Sequence, residues 1–241
     1  MPGLALTLAG ARLEARPSGA LWWPEARLLC VADLHLCKSE RLARRSGSLL
    51  PPYETALTLD RLAAEVAALD PARIVALGDS FDDCAAGAAI APADAARVVA
   101  LAAGRDWTWI AGNHDPGPPA LPGTHATTLA LGPLTFRHAA APAADPGEVS
   151  GHWHPKLRLA LRSGAVSRPC FLVDRARLIL PAFGAYTGGL HAGHPALAAL
   201  LAADALAILT GEPTVAVPLA RALAKAAPRP TLRLFREKER S

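Results

Sequence analysis

Three times between residues 28 and 113 an apolar run breaks off into a short polar cluster. Leu28–Ala32 gives way to Asp33-Leu34-His35, Arg73–Leu77 to Gly78-Asp79, and Thr108–Ala111 to Gly112-Asn113. Two helical patterns separate the runs. Over Tyr53–Leu69 the apolar residues Ala56, Leu59, Leu62, Ala63, Val66 and Leu69 recur at spacings of three and four, with Pro51-Pro52 before them and Asp70-Pro71 after. The second pattern, Ala93–Ala103, stops at Gly104. A strand–helix–strand–helix–strand order calls for parallel strands. A continuous apolar run such as Leu28–Ala32 is what a strand covered on both faces shows. Polar residues just past the carboxyl ends of such strands fall on the edge where open α/β sheets carry their sites.

The flanking segments read differently. Leu4–Leu8 and Ala11–Ala15 alternate around Gly10, and Leu21–Trp23 follows. Beyond Gly117-Pro118-Pro119 come Thr127–Leu131, Leu134–His138, Glu148–Gly151, Leu157–Arg162, Cys170–Val173 and Arg177–Leu180, all short strands, with an Ala/Pro-rich loop at Ala139–Gly147. Strand-rich segments on both sides of the α/β part predict two sheets packed face to face. Leu197–Leu209 and Leu219–Ala226 read as late helices. Residues 1–228 read as one domain, followed by a charged, flexible tail at 229–241.

At 241 residues and 25.0 kDa the chain can bury a core without disulfides or structural metal. Hydrophobic residues make up 51%, but 54 residues are alanine, which buries little. Of 25 basic residues 21 are arginine, and with so much Ala, Gly and Pro this is the usage that GC-rich coding favours. Arginine richness is therefore no functional sign by itself. The net charge of +4 permits a polyanionic partner without requiring one. Cys30, Cys37, Cys84 and Cys170 show no paired spacing and read as reduced, buried thiols of a cytoplasmic protein. The start carries no basic n-region, and the apolar stretch Ala196–Leu209 is interrupted by Asp204 and too short to span a bilayer, so no membrane association is expected.

Five clusters carry chemistry: Asp33-Leu34-His35, Gly78-Asp79-Ser80-Phe81-Asp82-Asp83, Gly112-Asn113-His114-Asp115, His138, and Gly151-His152-Trp153-His154. Each sits at or just after a strand end. On an extended chain residues i and i+2 point the same way, so Asp33 with His35 and His152 with His154 can each aim two ligands at one site. A glycine before Asp79, Asn113 and His152 lets the backbone come close. Oxygen and imidazole donors without thiolate suit Mn²⁺, Fe²⁺ or Zn²⁺. Asp33, His35, Asp79, Asn113, His138, His152 and His154 are too many for one ion and enough for two if a carboxylate bridges. Any single pair is commonly only a turn; the ordered conjunction at successive strand ends is what points to a metal centre.

The series Asp-x-His, Gly-Asp-x-x-Asp, Gly-Asn-His-Asp, His, Gly-His-x-His resembles the signature of the calcineurin-like metallophosphoesterases. The resemblance implies an α/β/β/α sandwich of two packed mixed sheets flanked by helices. It also implies two divalent ions, Mn²⁺ first, sharing a hydroxide that attacks phosphorus in line. It places Asp33, His35 and His154 on one ion and Asn113, His138 and His152 on the other, with Asp79 bridging. His114 stays off the metals as proton donor, polarised by Asp82 or Asp115. His138 is identified by position; His125 is its competitor, but too close to Gly-Asn-His-Asp. Ala32–Lys38, Arg44–Tyr53, Gly78–Asp82, Gly151–Lys156 and Pro181–Leu190 are further similar to the ligase-associated DNA damage response endonuclease (PdeM) family. That similarity implies a phosphodiesterase or endonuclease acting on nucleic acid in DNA repair, associated with a DNA ligase, a helicase and an exonuclease. Cys37, and Ala139-Ala140 after His138, depart from the family pattern without removing a ligand.

Arg44, Arg45 and Lys156 are candidates for binding substrate phosphates. They belong to two basic groups, Lys38–Arg45 and Lys156–Arg158, expected to flank one cleft; a solvated helix face is the competing reading for the first group. Trp153 should point away from its histidine neighbours into packing, and His191 and His194 read as loop residues. Two other functions compete. A phosphoesterase acting on a small molecule or on a lipid A precursor (UDP-diacylglucosamine) would need an amphipathic insertion, for which Pro195–Leu209 is the candidate. A non-catalytic scaffold of the same fold would not need the full ligand set.

Overall fold

The computed structural model describes residues 3–47, 51, 53–143, 145–161 and 164–226. The predicted tail at 229–241, the domain limit at 228 and the positions Pro52 and Arg162 lie outside the described residues.

The first sheet has the order β1 (Leu4–Leu8), β2 (Ala11–Ala15), β3 (Leu21–Trp23), β4 (Leu28–Val31), β5 (Arg73–Leu77), β6 (Asp106–Ile110), β7 (Thr124–Ala126). Pairing is antiparallel through β4 and parallel from β4 to β7. The change follows from the connections. Short turns join the first four strands, whereas α1 (Lys38–Ser46) with α2 (Glu54–Leu69), and α3 (Cys84–Ala88) with α4 (Pro92–Ala102), cross back between parallel neighbours.

The second sheet comprises β8 (Thr128–Leu131), β9 (Leu134–Arg137), β10 (Glu148–Ser150), β11 (Lys156–Leu161), β12 (Gly164–Val173), β13 (Arg177–Ile179), β14 (Leu206–Leu209) and β15 (Val215–Pro218). Its order is β15-β14-β12-β13-β10-β9-β8, with β11 paired to the outer half of β12. It too is mixed: β10 runs parallel to β9 and β13, and the other pairs are antiparallel. Helices α5 (Pro195–Ala198) and α6 (Leu219–Ala226) lie on its outer side.

Alternation along the strands sorts the core into three layers. Leu28, Cys30, Val75 and Leu77 of one sheet meet Phe136, Val149, Phe171 and Ile208 of the other. Leu29, Val31, Ile74 and Ala76 face outward onto Leu59, Leu62, Val66 and Val98 of α2 and α4. Cys170, Leu172, Ile179 and Leu209 face Leu197, Leu219 and Ala222. The α/β/β/α sandwich is thus two mixed sheets sharing a dry interior, with a helical layer on each outer face.

The expected helix over Leu197–Leu209 is not formed. Only Pro195–Ala198 is helical, capped by His194 Nδ1, which accepts from the Ala196 N–H at 3.2 Å. Leu206–Leu209 is instead an interior strand between β12 and β15. A short apolar run satisfies either periodicity, and here the sheet buries it. This removes the amphipathic segment that a lipid-handling function would need. β7 and β15 were not expected, and of the four cysteines Cys84 is exposed rather than buried. Among the described residues no helix is long and apolar enough to cross a membrane.

Candidate metal centre

The ligand-bearing segments leave the sheets at a common edge and stay paired after the strands end. The Asp33, His35 and Leu36 amides donate to the Gly78, Asp79 and Ser80 carbonyls at 3.3, 2.9 and 2.9 Å, continuing the alignment of β4 with β5. From the second sheet, the Gly151 amide donates to the His138 carbonyl at 2.8 Å. The two sheets thereby bring the two ends of the motif series together.

The local conformation differs from the extended one expected. Asp33 and His35 have φ of 53° and 45°, His152 and His154 of 71° and 46°, and Asp79 of 45°. Each i, i+2 pair is left-handed at both members, which no bulky side chain adopts cheaply. Asp33 and His35 still share one donor cluster, whereas His152 and His154 fall in different ones. The strain is held by the lateral hydrogen bonds and by close packing of loops. At Gly112 a Cβ would lie 2.1 Å from the Asp79 nitrogen and 2.2 Å from its Oδ1, so only glycine fits.

Two clusters of donors result. Asp33, His35 and His154 place ligand atoms within 4.8 Å of one another, and so do Asp79, His138 and His152. His35 Nδ1 donates to Asp82 Oδ1 at 2.7 Å, which leaves its Nε2 facing His154 Nε2 at 3.4 Å. His138 Nδ1 donates to the Leu77 carbonyl at 2.8 Å, leaving Nε2 facing Asn113 Oδ1 at 2.9 Å, His152 Nδ1 at 3.1 Å and Asp79 Oδ2 at 3.4 Å. Asp33 lies between the clusters. Its Oδ1 is 3.3 Å from His154 Nε2 and 3.8 Å from His138 Nδ1, and its Oδ2 accepts from the His152 amide at 2.9 Å.

Asp33 is fully buried, yet its Oδ1 has no hydrogen-bond partner. A buried carboxylate oxygen left so is costly unless a cation meets it. His35 Nε2 faces His154 Nε2, and His138 Nε2 faces His152 Nδ1, contacts that a ring proton or a divalent ion can fill. Protons fill part of that need: burial opposes protonation of His138, but Asp79 and Asp33 outweigh it and lift the imidazole to about 9. His152 is pushed down, by burial and then by the charge of His138. Asp79 is likewise penalised by burial, but its His138 and His114 contacts draw it to about 2. Oxygen and imidazole donors in this number fit divalent ions. Asp33 and Asp79 each group with one cluster, and Asp33 Oδ1 also lies 3.8 Å from His138 Nδ1.

His114 lies at the rim, about a third exposed. Its amide donates to Asp79 Oδ1 and its Nδ1 donates to the Asp82 carbonyl, both at 2.8 Å, so Nε2 is free, 4.0 Å from Asp79 Oδ2. The expected polarisation of His114 by the Asp82 or Asp115 side chain does not occur. The Asp82 carboxylate serves His35 and accepts from Arg41 at 2.8 Å, with Lys38 Nζ at 3.7 Å. Asp82 orients His114 through its main chain. His35, Asp82 and His114 form a third close group, which these cations already neutralise. The Asp115 carboxylate accepts from the Ser80, Phe81 and Gly112 amides and ties two ligand loops together. Burial raises that carboxyl to about 6, with the charge of Asp79 adding and the amides of Phe81 and Ser80 opposing.

Arg44 and Arg45 do not stand free. With Arg41 they converge on Asp83, at 3.1, 3.4 and 3.7 Å. Their guanidinium groups are bridged to α3, whose N-cap Asp83 is, so part of their charge is spent in the fold. The group remains net positive, because Lys38, Arg41, Arg44 and Arg45 face two carboxylates. Lys156 donates to the Thr187 carbonyl at 3.0 Å. Cys37 is buried and its thiol is pushed up to about 12, by burial and then by Glu40, which disfavours the thiolate at neutral pH. His125 lies on β7, in neither cluster. Trp153 packs partly buried against the outer core of the second sheet as expected, but it does not point away from its histidine neighbours, since its ring meets the His152 ring edge-on at 5.0 Å. Arg41 was undervalued in the sequence; its i+3 spacing from Lys38 on α1, both reaching Asp82, was the available signal.

The fold and the paired clusters define an α/β sandwich with a candidate metal centre at one sheet edge. The chain is similar to a solved structure described as the crystal structure of Pseudomonas putida nuclease MPE. The TM-score is 0.69 and the identity 27%, over 89% of this chain and 99% of that one. No family model matches the chain. No curated protein matches it either.

Proposed function

We propose that this protein is a metal-dependent nuclease, hydrolysing phosphodiester bonds at a two-ion centre. The observation that carries the proposal is the fully buried Asp33 Oδ1, without a hydrogen-bond partner, at two donor clusters that each combine residues from both sheets. The similarity to a nuclease over nearly the whole of both chains supports the substrate class. Asp33, His35 and His154 would hold one ion; Asp79, His138, His152 and Asn113 would hold the other. Two divalent ions, Mn²⁺ first, supply Lewis acidity toward the phosphoryl oxygens and activation of water. His114 Nε2, free and at the rim, is placed to give a proton to the leaving oxygen. Asp82 positions His35 through its side chain and His114 through its carbonyl. A role in DNA repair beside a ligase, a helicase and an exonuclease rests on the sequence resemblance to the PdeM family alone, and a cytoplasmic setting on the unpaired cysteines.

Elemental analysis of protein purified with added Mn²⁺, and assay against diesters, monoesters and oligonucleotides, test the reading. Two ions per chain with diester and oligonucleotide cleavage are expected, and poor turnover of monoesters. A protein that binds no divalent ion, or that cleaves monoesters alone, would overturn it.

A further inference from the structure

A cavity of ≈ 330 Å³, a size within the range of small-ligand sites, is lined by Gly184, whose amide reaches the Asp33 carbonyl, and by Lys156, two residues after His154. Its lining includes Lys156, Arg61, Tyr186, Thr187, Ser18 and Thr210, with no carboxylate. One wall is the Gly184–Gly189 segment, and this segment rests on both halves of one donor cluster. At its start the Gly184 amide donates to the Asp33 carbonyl at 3.1 Å, and a Cβ on Gly184 would lie 2.1 Å from the Leu34 oxygen. At its end a Cβ on Gly189 would lie 2.2 Å from the His154 oxygen. Two further ties hold it: the Ala185 amide donates to Thr58 Oγ1 at 2.9 Å, and Lys156 Nζ donates to the Thr187 carbonyl.

Tyr186 stands at the middle of this segment. Two residues span at most about 7 Å, so its Cα is within that distance of Gly184, itself against Asp33. It is 45% exposed and held at φ 57°, a left-handed conformation unfavourable for an aromatic residue. The tryptophans on strands and Phe81, Phe136, Phe171 and Phe183 are all buried, whereas Tyr53, at the start of α2, is exposed like Tyr186. A strained, exposed ring on a segment pinned at both ends is not explained by packing. Lys156 has used one of its three N–H donors.

We propose that this cavity is a nucleotide subsite flanking the scissile phosphate, in which Tyr186 stacks on one base and Lys156 contacts the adjoining phosphate. Arg61 is tied to the Phe183 and Ser18 carbonyls, so Lys156, with donors left, is the cation placed for an anion, and the ring supplies a face on which a base of any identity can lie. The subsite rests on the nuclease reading above. It adds that recognition extends one nucleotide beyond the metals and that Tyr186 determines it.

The test uses the full chain with Mn²⁺, bis(p-nitrophenyl) phosphate as a base-free diester, and a hexanucleotide in which each nucleotide in turn lacks its base. In the wild type, removal of one base flanking the cleavage point should lower kcat/KM about tenfold, through KM. Tyr186→Leu should be insensitive to that removal. Its ratio of kcat/KM for the intact oligonucleotide to that for the small diester should fall about tenfold, and Tyr186→Phe should restore it. Lys156→Met should reduce the slope of log binding against log salt by about 0.7, one phosphate contact. If every abasic substrate is cleaved alike by the wild type, or Tyr186→Leu matches the wild type on the intact oligonucleotide, the subsite is overturned. A wild type that cleaves the small diester but no oligonucleotide overturns the nuclease reading itself, a different pattern.

Discussion

His114 is set apart from the other histidines of the site by its hydrogen bonds. Its Nδ1 is committed to the Asp82 carbonyl and its Nε2 to nothing closer than 4.0 Å. His114→Ala should therefore keep the metal content of the wild type while losing roughly 10²–10⁴ in rate. The loss should shrink for nitrophenyl esters, whose leaving group needs no proton; equal losses for good and poor leaving groups would contradict the proton-donor role. Asp82 offers a pH test. Burial penalises its carboxylate, but His35, Lys38 and Arg41 overcome that and hold the group well below its ordinary 3.8. A depressed carboxyl stabilises the fold above the unfolded value and loses that contribution as pH falls through the folded one. In chelator, the difference in thermal midpoint between wild type and Asp82→Asn should be full above about pH 5 and narrow below 3.8. A difference independent of pH would show that the carboxylate's charge contributes nothing.

The elements matter here chiefly by where they stop. β4 and β5 end one residue or so before Asp33 and Asp79, and their pairing persists into the loops. The Gly112 loop then crosses so close to Asp79 that a methyl group would meet backbone rather than a movable side chain. Gly112→Ala should destabilise the fold by about 1–3 kcal/mol and reduce occupancy of the Asp79–His138–His152 cluster more than of the other. Denaturant unfolding and metal titration check this; unchanged stability and metal content would mean the loops can part. At the same scale α1 was half legible. Its arginines were visible as a basic group, but the ion pairs that tie them to Asp82 and Asp83 arise only when the loop after β5 folds under the helix.

On the scale of the molecule the candidate centre is a clasp. Asp33, Asp79 and Asn113 follow strands of the first sheet, whereas His138, His152 and His154 come from the second. Ions bound between them would hold the sheets together, and binding to the folded state alone stabilises it by about 2.7 kcal/mol at a hundredfold excess over Kd. Saturating Mn²⁺ should raise the thermal midpoint by roughly 5–10 °C over the chelated protein. His154→Ala should lose a large part of that rise. A midpoint unaffected by Mn²⁺ would remove the clasp.

The architecture was legible in the chain because burial writes itself into it: the runs at Leu28–Ala32 and Arg73–Leu77 need cover on both faces, and the polar clusters after them mark one edge. The candidate ligands were legible for the same reason, since each follows a strand end. Leu206–Leu209 was not, because an apolar run of four residues suits a helix or a strand, and only its neighbours β12 and β15 choose between them. Nor could spacing show that Asp33, His35, His152 and His154 are left-handed, or that Asp82 serves His35 with its carboxylate and His114 with its carbonyl. Those outcomes depend on contacts between segments up to 119 residues apart. The residues able to hold ions were thus determined by the sequence, and their hydrogen-bond partners by the packing of one sheet on the other.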